Sequence, residues 1–187
     1  MKNLLIILLS TCLILSCKTK SGKSADEIIQ NSSEILFQVK TTDKDALEVF
    51  EDGIIPWISV KNPEAEIDNL IGKDEIVIHA DSVILIIDYP LNFPVEIKMK
   101  SNNSKGFTRK ELAQKISHHY NEIYKEEEES AKVKTTPIEE RQGIINRNQT
   151  DGKYGIWGHD IDNLDLSAAF ITKAENGIIK LELMIES

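Results

Sequence analysis

The hydrophobic and polar positions of this chain change their spacing several times, and each change marks the boundary of an element. Near the N-terminus, Ser24 and Glu27 have the spacing of a capping box, and apolar residues at helical spacing follow them. Asp43 is placed as an N-cap residue, and Pro63 is placed for a first helical turn. The pattern therefore predicts three short helices, over 24–36, 43–52 and 63–71.

From residue 75 onward the spacing becomes that of β-strands. Alternating apolar residues predict strands over 75–79 and 95–100. The continuous apolar run over 82–87 predicts a central strand that is covered on both faces. Because the connections are short, these three strands are expected to form an antiparallel meander.

The clearest helix is predicted over 108–127. Thr108 and Glu111 have the spacing of a capping box, and Phe107 with Leu112 has that of a hydrophobic staple. An apolar stripe at helical spacing then runs through Leu112, Ile116, Tyr120, Ile123 and Tyr124. The acidic run 126–129 at the end of this helix predicts a solvated, fraying terminus.

After a segment without sustained periodicity, over 130–160, the chain ends in a predicted hairpin. Apolar residues alternate over 164–170 and 179–185, and Asn176-Gly177 predicts a type I′ turn between them. The order of elements favours a single α+β domain over 25–187. We expect an antiparallel sheet of about five strands, with the long helix packed on one face and the small helices N-terminal to it.

The first seventeen residues carry a different signal. Lys2 precedes an apolar stretch that ends in Leu13-Ile14-Leu15-Ser16-Cys17. A small residue before a cysteine, behind an apolar run, resembles the lipobox of bacterial lipoprotein precursors. The resemblance implies a signal peptide over 1–16, lipidation of Cys17 and a lipidated tether over 17–24. It also implies a cell-envelope location, and Lys18 rather than Asp after the cysteine favours the outer membrane.

The two cysteines fit this interpretation. Cys12 lies inside the predicted signal peptide, so cleavage would leave Cys17 alone. One cysteine cannot form an internal disulfide, and lipidation would remove its free thiol.

The charge of the chain limits its partners. The sequence has 22 basic and 31 acidic residues, a formal charge of −9. Such an excess of acid opposes nucleic-acid binding and suits a basic protein partner in the envelope. No sequence feature indicates a cofactor, and the membrane is expected as a partner through the N-terminal lipid.

The segment 154–160, Tyr-Gly-Ile-Trp-Gly-His-Asp, is the densest group of distinctive side chains. It resembles a block found in small uncharacterised envelope proteins of Bacteroidota-type bacteria, a resemblance that implies no activity. In a structural interpretation, the aromatic side chains pack the loop against the sheet, and the glycines allow the tight turns. A catalytic interpretation makes His159 a base beside Asp160, with Arg141 or Arg147 stabilising an anion. The structural interpretation is favoured.

Two other kinds of site stay open. Asp160, Asp162 and Asp165 carry oxygen ligands near Asn163, but they lack the glycine and distal glutamate of an EF-hand. A protein-binding face is the other possibility, because exposed aromatic residues mark such surfaces. Its candidate residues are Tyr154, Trp157, His159, Trp57 and Phe93.

The sequence thus favours a membrane-anchored lipoprotein with a non-enzymatic protein-binding domain, of the kind that immunity or inhibitor proteins use. The alternatives are an envelope hydrolase that uses the loop 139–160, and a module that binds a small molecule or a metal. Whether the protein is an enzyme stays open, with the non-enzymatic interpretation favoured.

Overall fold

The computed structural model describes residues 33–143, 146–174 and 176–187, and all of them belong to one compact unit. The predicted signal peptide, Cys17, the tether and the beginning of the first predicted helix lie outside the described residues. Among the described residues, no helix is both long and apolar enough to cross a membrane.

The described chain contains ten strands, two α-helices and four short 3-10 turns. The strands are β1 (Ser33–Leu36), β2 (Val39–Lys40), β3 (Ile54–Ile55), β4 (Ile58–Ser59), β5 (Ile76–Ile78), β6 (Ser82–Ile87), β7 (Val95–Lys100), β8 (Phe107–Thr108), β9 (Asp165–Lys173) and β10 (Ile179–Glu186). The helices are α1 (Lys44–Val49) and α2 (Arg109–Ser130). The 3-10 turns are Pro63–Ala65, Ile67–Asn69, Ile138–Glu140 and Ile161–Asn163.

Six of the described strands form the main sheet, in the order β1-β9-β10-β6-β7, with β4 also paired to β9. The predicted mixture of one sheet and one long helix is confirmed, but the prediction of a purely antiparallel sheet of about five strands is wrong. β10 runs parallel to β6, with Leu181 opposite Leu85, while the other pairs of this sheet are antiparallel. The parallel pair arises because the C-terminal hairpin enters the sheet between β1 and β6 rather than adding to an edge.

The predicted meander is correct only for β6 and β7. β5 pairs with β8, where Ile76 faces Thr108 and Ile78 faces Phe107. Gly106 permits this close pairing: its φ is 120°, and a Cβ there would lie 2.0 Å from the Ile78 carbonyl oxygen. β5 therefore holds the start of α2 instead of extending the main sheet.

The core lies between the main sheet and α2. In β6 the side chains of Val83, Leu85 and Ile87 are buried, as strand alternation requires. The buried stripe on α2 comprises Leu112, Ile116, Tyr120 and Ile123, and it belongs to the same cluster. Burying each large apolar side chain stabilises the fold by about 1.5–3 kcal/mol, so this interface positions α2 firmly.

The N-caps predicted at Asp43 and Thr108 are confirmed, although the capping box at Thr108 is not, and the capping box at Ser24 lies outside the described residues. The Asp43 carboxylate accepts from the amides of Asp45 and Ala46, at 3.1 and 3.0 Å. The Thr108 hydroxyl accepts from the Glu111 amide at 3.1 Å. The Glu111 carboxylate does not return to Thr108; it accepts from the Asn102 amide at 2.6 Å and so anchors the turn that precedes β8.

Two helix predictions are wrong in part. Residues 33–36 form strand β1, because pairing with β9 buries Ile35 opposite Ala169 and outweighs the local helical spacing. The third helix is reduced to the 3-10 turns Pro63–Ala65 and Ile67–Asn69.

The C-terminal hairpin is confirmed, but its turn is not of type I′. A type I′ turn needs positive φ at both central residues. Among the described residues only glycines have positive φ, so Asn176 does not, whereas Gly177 has φ 80°. The Ala174 amide donates to the Ile178 carbonyl and the Gly177 amide donates to the Ala174 carbonyl, so the left-handed residue ends a longer turn.

Candidate functional site

The end of α2 organises the loop that contains the segment 154–160. Glu127, on the last turns of α2, is fully buried, with 0% of its surface exposed. Its carboxylate accepts from the Thr150 hydroxyl at 2.6 Å and from the Gly152 amide at 2.9 Å. It also accepts from the Tyr154 and Gly155 amides, at 2.7 and 3.1 Å. One carboxylate thus accepts hydrogen bonds from one hydroxyl and three backbone amides of the loop.

The electrostatics of Glu127 follow from these contacts. Burial by itself raises the pKa of this carboxyl, but the hydrogen bonds from Thr150, Tyr154, Gly152 and Gly155 outweigh burial and lower the pKa below its usual value of 4.5. Glu127 is therefore an anion in the folded protein at neutral pH. The prediction that this end of the helix is a solvated, fraying terminus is wrong at Glu127.

The glycines of the loop make room for this arrangement. A Cβ on Gly152 would lie 2.7 Å from both the Glu127 carboxylate carbon and the Glu127 carbonyl oxygen. Gly155 has φ 62°, which side-chain-bearing residues rarely adopt, and its position faces Asn92 and Phe93. The sequence places glycine where the loop must approach the helix and the segment 88–93.

Tyr154 anchors the loop to the neighbouring acid. Its side chain is largely buried, and its hydroxyl donates to the Glu126 carboxylate. Lys153 Nζ lies 2.7 Å from Glu126 Oε2 and 4.9 Å from the centre of the Tyr154 ring. The hydrogen bonds from Lys153 and Tyr154 lower the pKa of Glu126. Tyr154, a predicted binding residue, therefore supports the loop rather than facing solvent.

A second anchor holds the later part of the loop. The guanidinium of Arg141 donates to both carboxylate oxygens of Asp160, at 2.6 and 3.0 Å. Arg147 Nε lies 3.8 Å from the same carboxylate. The side chains of both arginines are almost completely buried, and that of Asp160 is 23% exposed. The Asp160 hydrogen bonds also raise the pKa of Arg141.

Arg147 joins this ion pair to the helix. Its guanidinium lies over the Tyr124 ring, 5.4 Å from the ring centre, and donates to the Thr135 hydroxyl. Burial raises the pKa of Tyr124, and the Tyr124 hydroxyl donates to the His159 carbonyl at 2.9 Å. Within the described part of the chain, Arg147 Nη1 is buried without a hydrogen-bond partner. These contacts tie Thr135, Arg147 and His159 to α2.

The catalytic candidates do not form a dyad. Asp160 points its carboxylate at Arg141 and Arg147, while His159 lies against the rings of Tyr89 and Trp157. Within the described residues the His159 imidazole has no ion pair or hydrogen bond. A polar cavity of about 360 Å³ lies beside Arg141 and Asp160, but His159 does not line it. The geometry supplies no oriented general base at this position.

The three candidate metal ligands do not form a common site. Asp160 is held by two arginines, and Asp162 pairs with Lys61. Burial, followed by the nearby Glu66 and Glu186, raises the pKa of Asp165. Among the described residues, no group of three acidic, histidine or cysteine side chains is arranged to hold a metal ion.

The loop does present an aromatic surface, which we call the aromatic cluster and define as Tyr89, Trp157 and His159. The Tyr89 and Trp157 rings meet edge to face with centroids 5.3 Å apart, and the Tyr89 and His159 rings are 5.6 Å apart. Trp157 remains 36% exposed. The Trp157 amide donates to the Pro90 carbonyl at 3.1 Å, which fixes the two segments against each other.

The other two aromatic candidates lie in different surroundings. The Phe93 amide donates to the Tyr154 carbonyl at 3.1 Å, and the Phe93 side chain is 61% exposed. Phe93 therefore projects from the segment that carries the aromatic cluster. Trp57 instead packs edge to face against Phe50, with ring centroids 5.6 Å apart.

Sequence reasoning missed Glu127 and Tyr89. A signal for Glu127 was present, because it follows Tyr120 and Ile123 at spacings of seven and four and so continues the buried stripe of α2. Tyr89 carries no such signal, since its contact with Trp157 joins residues far apart in the chain.

The comparisons with known proteins found no match: no family model, no curated protein and no solved structure is significantly similar to this chain.

Proposed function

We propose that this chain is a lipid-anchored envelope protein whose folded domain binds another protein through the aromatic cluster. The anchor rests on the lipobox pattern that ends at Cys17. Two or three acyl chains would hold the protein durably at a bilayer, and the outer membrane is the expected location.

The single observation that carries the binding role is the exposure of Trp157 within the aromatic cluster. Protein-binding surfaces are enriched in tryptophan and tyrosine, which bury large areas at a low cost in conformational entropy. Trp157 contacts two other rings and still leaves 36% of its surface exposed. Phe93, 61% exposed on the adjoining segment, would extend the apolar area.

The loop that carries the cluster is held in place before any partner arrives. Glu127 fixes the backbone of 150–155, and Asp160 with Arg141 fixes the residue next to His159. Ordering a loop on binding weakens affinity, and a loop already ordered avoids that cost. The buried anchors therefore favour a binding surface over a purely local role.

Charge favours a basic partner. Without Lys2 and the rest of residues 1–16, the chain has 21 basic and 31 acidic residues, a formal charge of −10. An acidic protein attracts a basic partner at long range and accelerates their encounter. An inhibitor of a basic envelope toxin would fit this description.

The test is site-specific photo-cross-linking of the full chain in intact cells of its natural host. A photoreactive phenylalanine analogue replaces Phe93, and the matched control carries it at Val49, which is 72% exposed on α1. We expect a discrete adduct from position 93 and none from position 49. Adding Trp157→Ala should abolish the adduct while the unfolding transition of the protein stays nearly unchanged. Equal labelling at both positions would contradict the proposal, and so would labelling from position 93 that Trp157→Ala does not reduce.

A further inference from the structure

A groove on another part of the domain gathers positive charge. It has a volume of about 440 Å³ and lies between the end of β7 and the middle of α2. We define the basic groove by Lys98, Lys100, Lys115, His118 and His119, which line it. The uncharged remainder of the lining is Met99, Ser101 and Asn102. Such a concentration is unexpected in a chain of formal charge −9.

Two of the groove lysines have no polar partner within the part of the chain that the structure describes. Among the described residues, neither Lys98 nor Lys100 makes an ion pair or a side-chain hydrogen bond, and both are exposed on β7. β7 is an edge strand of the main sheet, where lysines discourage pairing with other strands. That role does not account for Lys115, His118 and His119, which approach the same groove from the helix.

The helix side of the groove is fixed in position. Lys115 Nζ donates to Asn102 Oδ1 at 3.0 Å and lies 3.7 Å from Glu111 Oε1. Glu111 is buried and also accepts from the Asn102 amide. These contacts join the turn after β7 to the first half of α2, so this side of the groove is held in a fixed position.

The two histidines stand side by side at the groove. Their ring centroids are 5.3 Å apart, and among the described residues no third ligand makes them a metal site. Burial, then His118 and then Lys115 lower the pKa of His119, while Glu122 opposes them weakly. Both neighbours that lower this pKa are groove residues, so His119 responds to the charge of the groove.

We infer that the basic groove is a binding site for a phosphate group. Its donors are ammonium and imidazole N–H groups without an arginine fork, and such donors suit a compact, multiply charged anion better than a planar carboxylate. The phosphate could belong to a soluble phosphate compound or to a phospholipid headgroup. The site is separate from the aromatic cluster and does not depend on the proposed protein partner.

The first test follows the imidazole resonances of the full chain, purified in nonionic detergent, during titration with pyrophosphate. Sodium chloride of equal ionic strength serves as the reference. We expect saturable shifts of His118 and His119 and a rise in the pKa of His119, because a bound anion offsets the nearby Lys115 and His118. His159, in the aromatic cluster, is the internal control and should not move.

Paired variants separate the groove from general charge. Lys98→Gln with Lys100→Gln removes two positive charges from the groove, and Lys44→Gln with Lys132→Gln removes two exposed charges elsewhere. We expect the groove pair to weaken pyrophosphate binding about fivefold or more, with less than about a twofold effect from the control pair.

The source of the phosphate is decided by a parallel titration with mixed micelles that contain phosphatidylglycerol. Saturation by pyrophosphate alone assigns a soluble ligand, and a response confined to the phosphatidylglycerol micelles assigns a lipid headgroup. The inference is overturned if neither probe shifts His118 and His119 beyond the salt reference. Equal losses in the two variant pairs would overturn it as well.

Discussion

Glu127 and Asp160 hold the same loop with different chemistry. Glu127 is an anion surrounded by neutral donors, one hydroxyl and three backbone amides. Asp160 is an anion between two buried guanidinium groups. The first arrangement fixes the backbone conformation, because each of the three amides donates its own hydrogen bond to the Glu127 carboxylate. The second brings distant parts of the loop together, since Arg141 and Asp160 are nineteen residues apart.

Replacing Glu127 tests the first arrangement. Glu127→Gln keeps the size of the side chain but turns an NH2 group toward backbone donors, which leaves buried amides unpaired. We expect the free energy of unfolding to fall by about 2–4 kcal/mol, measured by urea denaturation. Glu129→Gln, two residues away and exposed, is the matched control and should change stability by less than about 0.5 kcal/mol. Equal effects would show that general charge near the helix end, rather than the loop contacts, matters.

The same carboxylate makes stability depend on pH. The pKa of Glu127 is lower in the folded chain than its usual value of 4.5. Its stabilising contribution is therefore present above that value and is lost as pH falls through the folded pKa. We expect the stability difference between the wild type and Glu127→Gln to shrink progressively below about pH 4.5. A difference that stays constant down to pH 3 would contradict the lowered pKa.

Asp160 and His159 should behave differently when replaced. Asp160→Asn leaves Arg141 and Arg147 buried with less compensating charge, and we expect a loss of about 2–3 kcal/mol in the free energy of unfolding. His159→Ala removes ring contacts at a partly exposed position and should cost about 1 kcal/mol or less. Thermal unfolding of the two variants measures both. A larger loss from His159→Ala would mean that the imidazole, and not the ion pair, holds the loop.

At the scale of single residues, the sequence predicted those contacts that join residues close together in the chain. The Asp43 and Thr108 caps are bonded to amides two or three residues ahead, so their spacing alone identifies them. The Arg141–Asp160 pair was only named among the candidates, because nothing in the sequence shows that a loop folds back on itself.

At the scale of elements, the local pattern predicted whether a segment is a helix or a strand better than it predicted which strands pair with each other. Alternation identified β7, β9 and β10, a continuous apolar run identified β6, and the apolar stripe identified α2. The parallel pairing of β10 with β6 was missed, since it joins residues about a hundred positions apart. Residues 33–36 were assigned to a helix because the local pattern was read without the partner strand β9.

The approach of the loop to the end of α2 depends on one glycine. A Cβ at Gly152 would overlap the Glu127 carboxylate and carbonyl, so Gly152→Ala should cost about 2–3 kcal/mol in the free energy of unfolding. Gly158, with φ 74° and no atom within 4 Å of such a Cβ, provides the control. Gly158→Ala should cost only about 1 kcal/mol, from its left-handed backbone. Hydrogen exchange of the Tyr154 and Gly155 amides should accelerate in Gly152→Ala alone, and equal acceleration in both would contradict this account.

At the scale of the whole molecule, an acidic domain carries two surfaces of different character. The aromatic cluster offers apolar rings on a fixed loop, and the basic groove offers exposed lysines beside α2. Because they share no residue, each can be removed without the other. Trp157→Ala should leave phosphate binding intact, and the Lys98 and Lys100 replacements should leave the cross-link from position 93 intact.

Membrane attachment is the remaining property of the whole chain, and its two cysteines allow a matched comparison. If Cys17 receives the lipid, Cys17→Ala should abolish incorporation of an alkyne-labelled fatty acid and move the protein from the membrane fraction to the soluble fraction. Cys12→Ala, five residues earlier, should leave both properties unchanged, because the thiol and the amine of Cys17 are the expected acylation sites. Gel fluorescence and fractionation of cells that express the full chain measure the two effects. Fatty-acid labelling that survives Cys17→Ala would place the anchor elsewhere and remove the main support for an envelope location.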